Sequence, residues 1–182
     1  AAELGSWLDT LQGNLSEQAA AQEIVVLLGF CRSGSFIDNL SGVHRVVVAS
    51  AAANESSYKG PLDEDGVRDG EYFVSEFFKS VALGKSVRES FEEATRLTER
   101  FTSESTKAVN APYFDDSRQH PLLDDNGDGV GSNDLSDTSG DGRSSKGLLV
   151  GAGSATTNDP DEVSVTEVSQ TVFLGEAQSA AD

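Results

Sequence analysis

Methionine is absent from the 182 residues, and cysteine occurs only once, as Cys31. A single cysteine excludes a disulfide bond within the chain and raises the question of whether its thiol is reactive. The sequence contains no apolar stretch long enough to span a membrane as a helix, and no signal peptide is visible. Because there is no initiating methionine, we expect Ala1 to be an internal position of a longer protein that was cut or processed.

Basic residues are also scarce in this chain. Lysine and arginine total 13 against 31 aspartates and glutamates, which gives a net charge of -18 at pH 7. A surface of this charge repels phosphate backbones, so we expect no nucleic-acid partner. The excess of acidic residues indicates either a saline habitat or calcium binding, and the composition leaves both open.

Two continuous apolar runs, 23–30 and 44–51, predict strands that are buried on both faces, as in a parallel sheet. Apolar residues at helical spacing predict helices over 2–12, 71–83 and 86–101. A strand, a crossover, a second strand and then helices is the order of an α/β fold with a parallel sheet.

Polar residues dominate the second half of the chain. Between 103 and 146 the sequence is rich in Ser, Thr, Asn, Asp and Gly, which predicts an acidic loop insertion. We assign this insertion, with everything before it, to one domain over 1–153. Residues 154–182 contain a polar linker and then alternating apolar residues over 163–174, which predict either an edge strand or the start of a following module.

Cys31 directly follows the first predicted strand and precedes the sequence Arg-Ser-Gly-Ser. Functional groups in open α/β sheets gather at the carboxyl ends of the strands. The small residues Ser33, Gly34 and Ser35 allow a tight turn, which would let the Cys31 N–H point at an oxyanion. Position alone leaves two interpretations open: a catalytic nucleophile, or a buried free thiol that packs as a small apolar group.

Three sequence motifs resemble those of one enzyme family. They are Cys-Arg-Ser-Gly-Ser at 31–35, Ala-Ala-Asn-Glu-Ser-Ser-Tyr at 52–58 and Asp-Gly-Glu-Tyr at 69–72. Together they are similar to motifs of the caspase-like cysteine peptidases of the legumain type. The resemblance implies a caspase-like parallel-sheet sandwich with flanking helices, of which this chain is the C-terminal part. It also implies a cysteine endopeptidase with Cys31 as its nucleophile.

The same resemblance implies that the catalytic histidine follows a preceding strand, so that the N-terminal strands and this histidine are missing from the chain. Only His44 and His120 are present. His44 opens the second strand, where the family has no catalytic residue, and Pro121 favours an extended turn at His120. His120 would approach Cys31 only if the acidic loop folds back. We therefore expect the chain to be inactive alone and to need the N-terminal part of the same domain as a partner.

Phe30 departs from the family pattern, which has alanine immediately before the nucleophile. Its bulky ring beside Cys31 leaves an alternative open. In that alternative, the chain is a catalytically inactive caspase-like binding module that is stabilised by calcium.

The resemblance assigns Ser56, Ser57 and Glu71 to the pocket for the substrate residue before the scissile bond. Two hydroxyls and one carboxylate suit an amide or a cation, so cleavage after Asn or a basic residue is expected. The alternative is that the two serines form a turn and that Glu71 interacts with a helix dipole.

The sequence Asp-Asp-Asn-Gly-Asp-Gly fits the opening of a calcium-binding loop, with Asp124, Asn126 and Asp128 as ligands. The twelfth position is Leu135, and Asp134 comes one residue too early. We therefore expect either a looser Ca2+ site or a flexible, solvated insertion, while catalysis by a cysteine requires no cofactor. Similar loops occur in bacterial caspase-like proteins, so we expect a bacterial protein, extracellular or periplasmic, that acts on proteins or peptides.

Overall fold

The computed structural model describes residues 1–60, 70–104, 118–151 and 170–173, which form five α-helices and four β-strands. The helices are α1 (Ala2–Gly13), α2 (Glu17–Ala20), α3 (Ile37–Leu40), α4 (Tyr72–Ala82) and α5 (Val87–Glu104). The strands are β1 (Ile24–Leu28), β2 (Arg45–Ala49), β3 (Leu122–Asp124) and β4 (Gln170–Phe173).

The strands form one mixed sheet in the order β3-β2-β1-β4. β1 pairs in parallel with β2, with Val26 opposite Val47, and pairs in parallel with β4 along its other edge. β3 runs antiparallel to β2. Every residue of β1 and β2 is buried, as expected for strands that are covered on both faces. The predicted α/β class is therefore confirmed, and the two apolar runs are the two central strands.

Side-chain alternation along β1 divides the apolar core into two parts. Val25 and Leu27 share one cluster with aromatic residues of α4 and α5, which include Phe73 and Phe91. The alternate residues of β1, which are Ile24, Val26 and Leu28, share the other cluster with residues of α1 and α3. Helices thus cover both faces of the sheet, and this burial fixes the position of the loops that follow β1 and β2. The caspase-like sandwich and the missing N-terminal strands stay predictions.

The segment predicted as an acidic loop insertion contains more structure than its composition indicates. α5 extends to Glu104 at its start, and β3 lies within it. Leu123 is fully buried, and its backbone pairs with both β2 and Ser132. The reason is that a short apolar pair adds a strand to the edge of β2. Residues 105–117 of this segment lie outside the described residues.

The C-terminal region is described only at 170–173, where β4 occupies the sheet edge beside β1. The assignment of 1–153 to one domain and of 154–182 to an edge strand or a following module stays a prediction. The rest of the predicted linker, with most of the strand predicted over 163–174, lies outside the described residues. Among the helices that the structure describes, none combines the length and apolar character needed to cross a bilayer.

Candidate active site

Cys31 lies at the carboxyl end of the sheet, three residues after the end of β1, and it is exposed. β1 is flanked by β2 and β4, so the thiol lies just beyond the C-terminal end of a central strand. The sequence predicts this location from the strand that precedes Cys31 and the small residues that follow it. The exposed thiol excludes the alternative of a cysteine sealed in the core.

A strained turn presents the thiol. Arg32 adopts the left-handed conformation, with φ 62° and ψ 22°, which non-glycine residues adopt rarely and which is concentrated at functional sites. Its N–H donates to the Glu55 carbonyl at 2.7 Å, and its carbonyl accepts from the Ser35 hydroxyl at 2.7 Å. A Cβ at Gly34 would lie 2.9 Å from the Ala51 carbonyl oxygen, so only glycine fits this close approach. The turn is therefore fixed against the loop that follows β2.

Three polar atoms of Ser57 lie within hydrogen-bonding distance of the Cys31 sulfur. Its backbone N–H donates to the Cys31 Sγ at 3.4 Å, and its hydroxyl oxygen lies 3.9 Å from the same sulfur. The thiol in turn donates to the Ser57 carbonyl oxygen at 3.7 Å. One residue of the loop that follows β2 therefore places both a backbone donor and a backbone acceptor beside the sulfur.

The three predicted pocket residues lie in different surroundings. Ser57 contacts the sulfur, and Ser56 next to it is half-buried. Glu71 is only 6% exposed, and its Oε2 accepts from Val74 N at 2.8 Å at the start of α4. Its Oε1 accepts from Gln119 Nε2 at 2.6 Å. The carboxylate thus caps a helix, as the alternative interpretation expects, while the pocket role of all three residues stays a prediction.

A comparison with protein families matches the model of the Peptidase C13 family to residues 4–124. The chain belongs to the Peptidase C13 family. The match covers the nucleophile turn and the predicted pocket residues, and it agrees with the resemblance to legumain-type peptidases. A comparison with curated proteins finds no significant match. Membership of Peptidase C13 supports cysteine peptidase activity at the level of the family.

His120 of this Peptidase C13 chain lies closer to the site than its sequence context indicates. Its Nδ1 is 2.6 Å from Glu55 Oε1, and its backbone N–H donates to Glu55 Oε2 at 2.7 Å. Glu55 is the residue whose carbonyl holds Arg32, so the segment before β3 does fold back beside the nucleophile turn. Sequence reasoning missed Gln119 and Glu55 as neighbours of the site, because local patterns do not encode contacts across 48 or 65 residues.

In the described part of the chain, neither histidine is hydrogen-bonded to Cys31, whose sulfur forms its hydrogen bonds with Ser57. His44 lies at the opposite end of β2, where its Nδ1 is 3.3 Å from Glu23 Oε1. This matches the expected place of His44 at the start of the second strand.

The predicted calcium ligands hold backbone turns. Asp124 is buried, and its carboxylate accepts from Gly127 N at 3.0 Å and Gly129 N at 3.1 Å. Asn126 Oδ1 accepts from Asp128 N at 2.8 Å. Across the described ranges, no group of three or more His, Cys, Asp or Glu side chains is arranged to hold a metal ion. Calcium binding by these residues and Asp134 therefore stays a prediction.

Asp141 carries a strongly perturbed carboxyl group within the described part of this acidic segment. Burial raises its pKa from 3.8 to about 6, and the charges of Asp124, Asp125 and Asp128 add to the increase, although a hydrogen bond from Asp125 N opposes it. Asp125 itself is buried and accepts from Gly142 N and Ser145 N, both at 2.8 Å. The segment is thus tightly folded around acidic side chains that partly repel each other.

Proposed function

We propose that this chain carries the nucleophile of a cysteine endopeptidase, and that the nucleophile is Cys31. The observation that supports this most strongly is an exposed sulfur at the end of a central strand that accepts a hydrogen bond from Ser57 N at 3.4 Å. The thiolate attacks the carbonyl carbon of the substrate, and the Cys31 N–H helps to hold the oxyanion. The C–N bond breaks, the amine leaves with a proton from a histidine, and water hydrolyses the thioester.

The proposed base is a histidine from the N-terminal part of the same domain. His44 lies at the opposite end of β2, and His120 is paired with Glu55 and is not hydrogen-bonded to Cys31 within the described residues. The chain alone is therefore proposed to be inactive as a peptidase. Its partners are this N-terminal part and a protein or peptide substrate, while a net charge of -18 argues against nucleic acid.

The proposed specificity is for Asn or a basic residue immediately before the scissile bond. Ser57 lies at the sulfur, and its hydroxyl and that of Ser56 offer both a donor and an acceptor. Glu71 would supply the negative charge that favours Arg or Lys. An extracellular or periplasmic location remains part of the proposal, and so does a Ca2+ ion bound by Asp124, Asn126, Asp128 and Asp134.

A second candidate is an inactive binding module of the same fold. Two observations favour it: no histidine hydrogen-bonds Cys31 in the described residues, and both Glu71 carboxylate oxygens already have partners. This module would use the loop around Ser57 to bind peptides without cleaving them.

The test is cleavage by a longer chain that includes the upstream segment, on peptides that differ only in the residue before the scissile bond. Asn and Arg peptides should be cleaved and a Leu peptide should not, and Cys31→Ser should abolish turnover. Cleavage that persists in Cys31→Ser would exclude this nucleophile. Binding of the Asn peptide without cleavage, by a longer chain that contains the histidine, would favour the binding module.

A further inference from the structure

Gln119 lies fully buried between the two ends of the loop 50–58, which we call the pocket loop. Its Nε2 donates to the Ser50 carbonyl at 2.7 Å, and its Oε1 accepts from Tyr58 N at 3.1 Å. Ser50 directly follows β2, and Tyr58 directly follows Ser57. One side chain therefore closes the pocket loop at both ends.

Gln119 also fixes the orientation of Glu71. The Gln119 Nε2 donates to Glu71 Oε1 at 2.6 Å, while Val74 N donates to Glu71 Oε2 at 2.8 Å. A buried carboxylate is costly unless it is hydrogen-bonded, and two donors on different oxygens hold it in one orientation. A substrate group that meets Glu71 therefore meets a carboxylate that Gln119 has oriented.

His120 holds the middle of the same loop. Its backbone N–H and its ring Nδ1 contact the two carboxylate oxygens of Glu55 at 2.7 Å and 2.6 Å. The Glu55 Oε2 also accepts from Ala52 N at 3.3 Å, and the Glu55 carbonyl accepts from Arg32 N at 2.7 Å. Since Arg32 is the residue after the nucleophile, Glu55 connects His120 to the nucleophile turn.

We propose that Gln119 and His120 are positioning residues, which hold the pocket loop so that the Ser57 N–H stays directed at Cys31. This inference rests on the proposed function of Cys31. Neither residue hydrogen-bonds the sulfur in the described structure, so an effect on thiol reactivity would have to pass through the pocket loop. The dipeptide belongs to the segment before β3, and it gives that segment a role in the peptidase site.

The experiment measures the rate at which iodoacetamide alkylates the chain, in which Cys31 is the only thiol. His120→Ala and Gln119→Met should each slow alkylation of the folded chain by about tenfold, because loss of a hydrogen bond to a charged group changes an equilibrium by about that factor. His120→Asn should restore the rate to within about twofold of wild type, since the Asn amide nitrogen can replace Nδ1 as a donor. Rescue of this kind would not follow from a role in packing alone.

His44→Ala is the matched control, because His44 forms the same kind of pair with Glu23, at 3.3 Å, at the other end of β2. It should leave the alkylation rate unchanged even where it lowers stability. His120 is half-exposed, so its variants test the inference even if Gln119→Met does not fold. If the wild-type rate is fast and the variants at both positions leave it unchanged, this inference is wrong while the proposed nucleophile still stands. A wild-type rate no faster than that of the unfolded chain would also overturn this inference, whereas the nucleophile is tested separately by Cys31→Ser in the longer chain.

Discussion

Replacing Asp141 with asparagine should stabilise the folded chain at neutral pH. The pKa of Asp141 is raised from 3.8 to about 6, mainly by burial, so its contribution to stability is complete below about pH 4 and is lost as the pH rises through 6. This difference between the two pKa values corresponds to about 3 kcal/mol in the free energy of unfolding, and solvent screening reduces the effect to about 1–2 kcal/mol. The Asn oxygen can still accept from Asp125 N, so the hydrogen bond at 3.2 Å is kept.

Urea unfolding of wild type and Asp141→Asn at pH 4.5 and pH 7.5 measures this difference. The variant should be more stable by about 1–2 kcal/mol at pH 7.5 and by about a third of that at pH 4.5, which corresponds to a rise in Tm of roughly 3–6 °C at the higher pH. Calcium bound among these carboxylates would neutralise the repulsion, so added Ca2+ should remove the advantage of the variant. An equal free-energy difference at both pH values would show that the charge of Asp141 is not destabilising.

The remaining predictions concern the site and the sheet edge. Gly34→Ala should lower the free energy of unfolding in urea by about 1–3 kcal/mol, because its Cβ would lie 2.9 Å from backbone atoms. The control Gly147→Ala should be neutral, since its Cβ meets nothing within 4 Å. Equal losses of stability in the two variants would contradict the close approach at Gly34. In the longer chain, Glu71→Gln should reduce cleavage after Arg severely and after Asn only mildly, and a peptidase indifferent to Glu71 would remove it from the pocket. Deletion of 152–182 should expose the edge of β1 and cause self-association in size-exclusion chromatography, and a monomer of unchanged Tm would contradict this.

The central fold could be predicted because burial leaves a local signature. Strands covered on both faces are continuously apolar, so 23–30 and 44–51 identify β1 and β2 without any partner being known. The location of Cys31 follows from the same signature, since a thiol that comes just after a buried strand lies at the edge of the sheet.

The contacts around Glu71 could not be predicted in this way. A glutamate at the start of a helix is compatible with a cap, a pocket wall or both, and the choice depends on Gln119, which is 48 residues away. In the acidic segment, the composition predicts less structure than the chain forms. Its composition is typical of a solvated loop, yet Asp124 and Asp125 are buried because their carboxylates satisfy the backbone N–H groups of tight glycine turns.

The pairing of β1 limits how an upstream strand could bring a histidine to Cys31. One edge pairs with β2 and the other with Gln170–Phe173 of β4, so both are occupied. An upstream strand that carries the proposed histidine cannot pair with β1 while β4 holds that edge. Such a strand would have to displace β4, or its histidine would have to approach from beyond the carboxyl end of the sheet, where the thiol is exposed. The proposed function therefore requires either that the upstream strand replaces β4 beside β1 or that the histidine approaches while the sheet stays intact. Only replacement of β4 would change the rate of hydrogen exchange at the β1 amides that β4 protects.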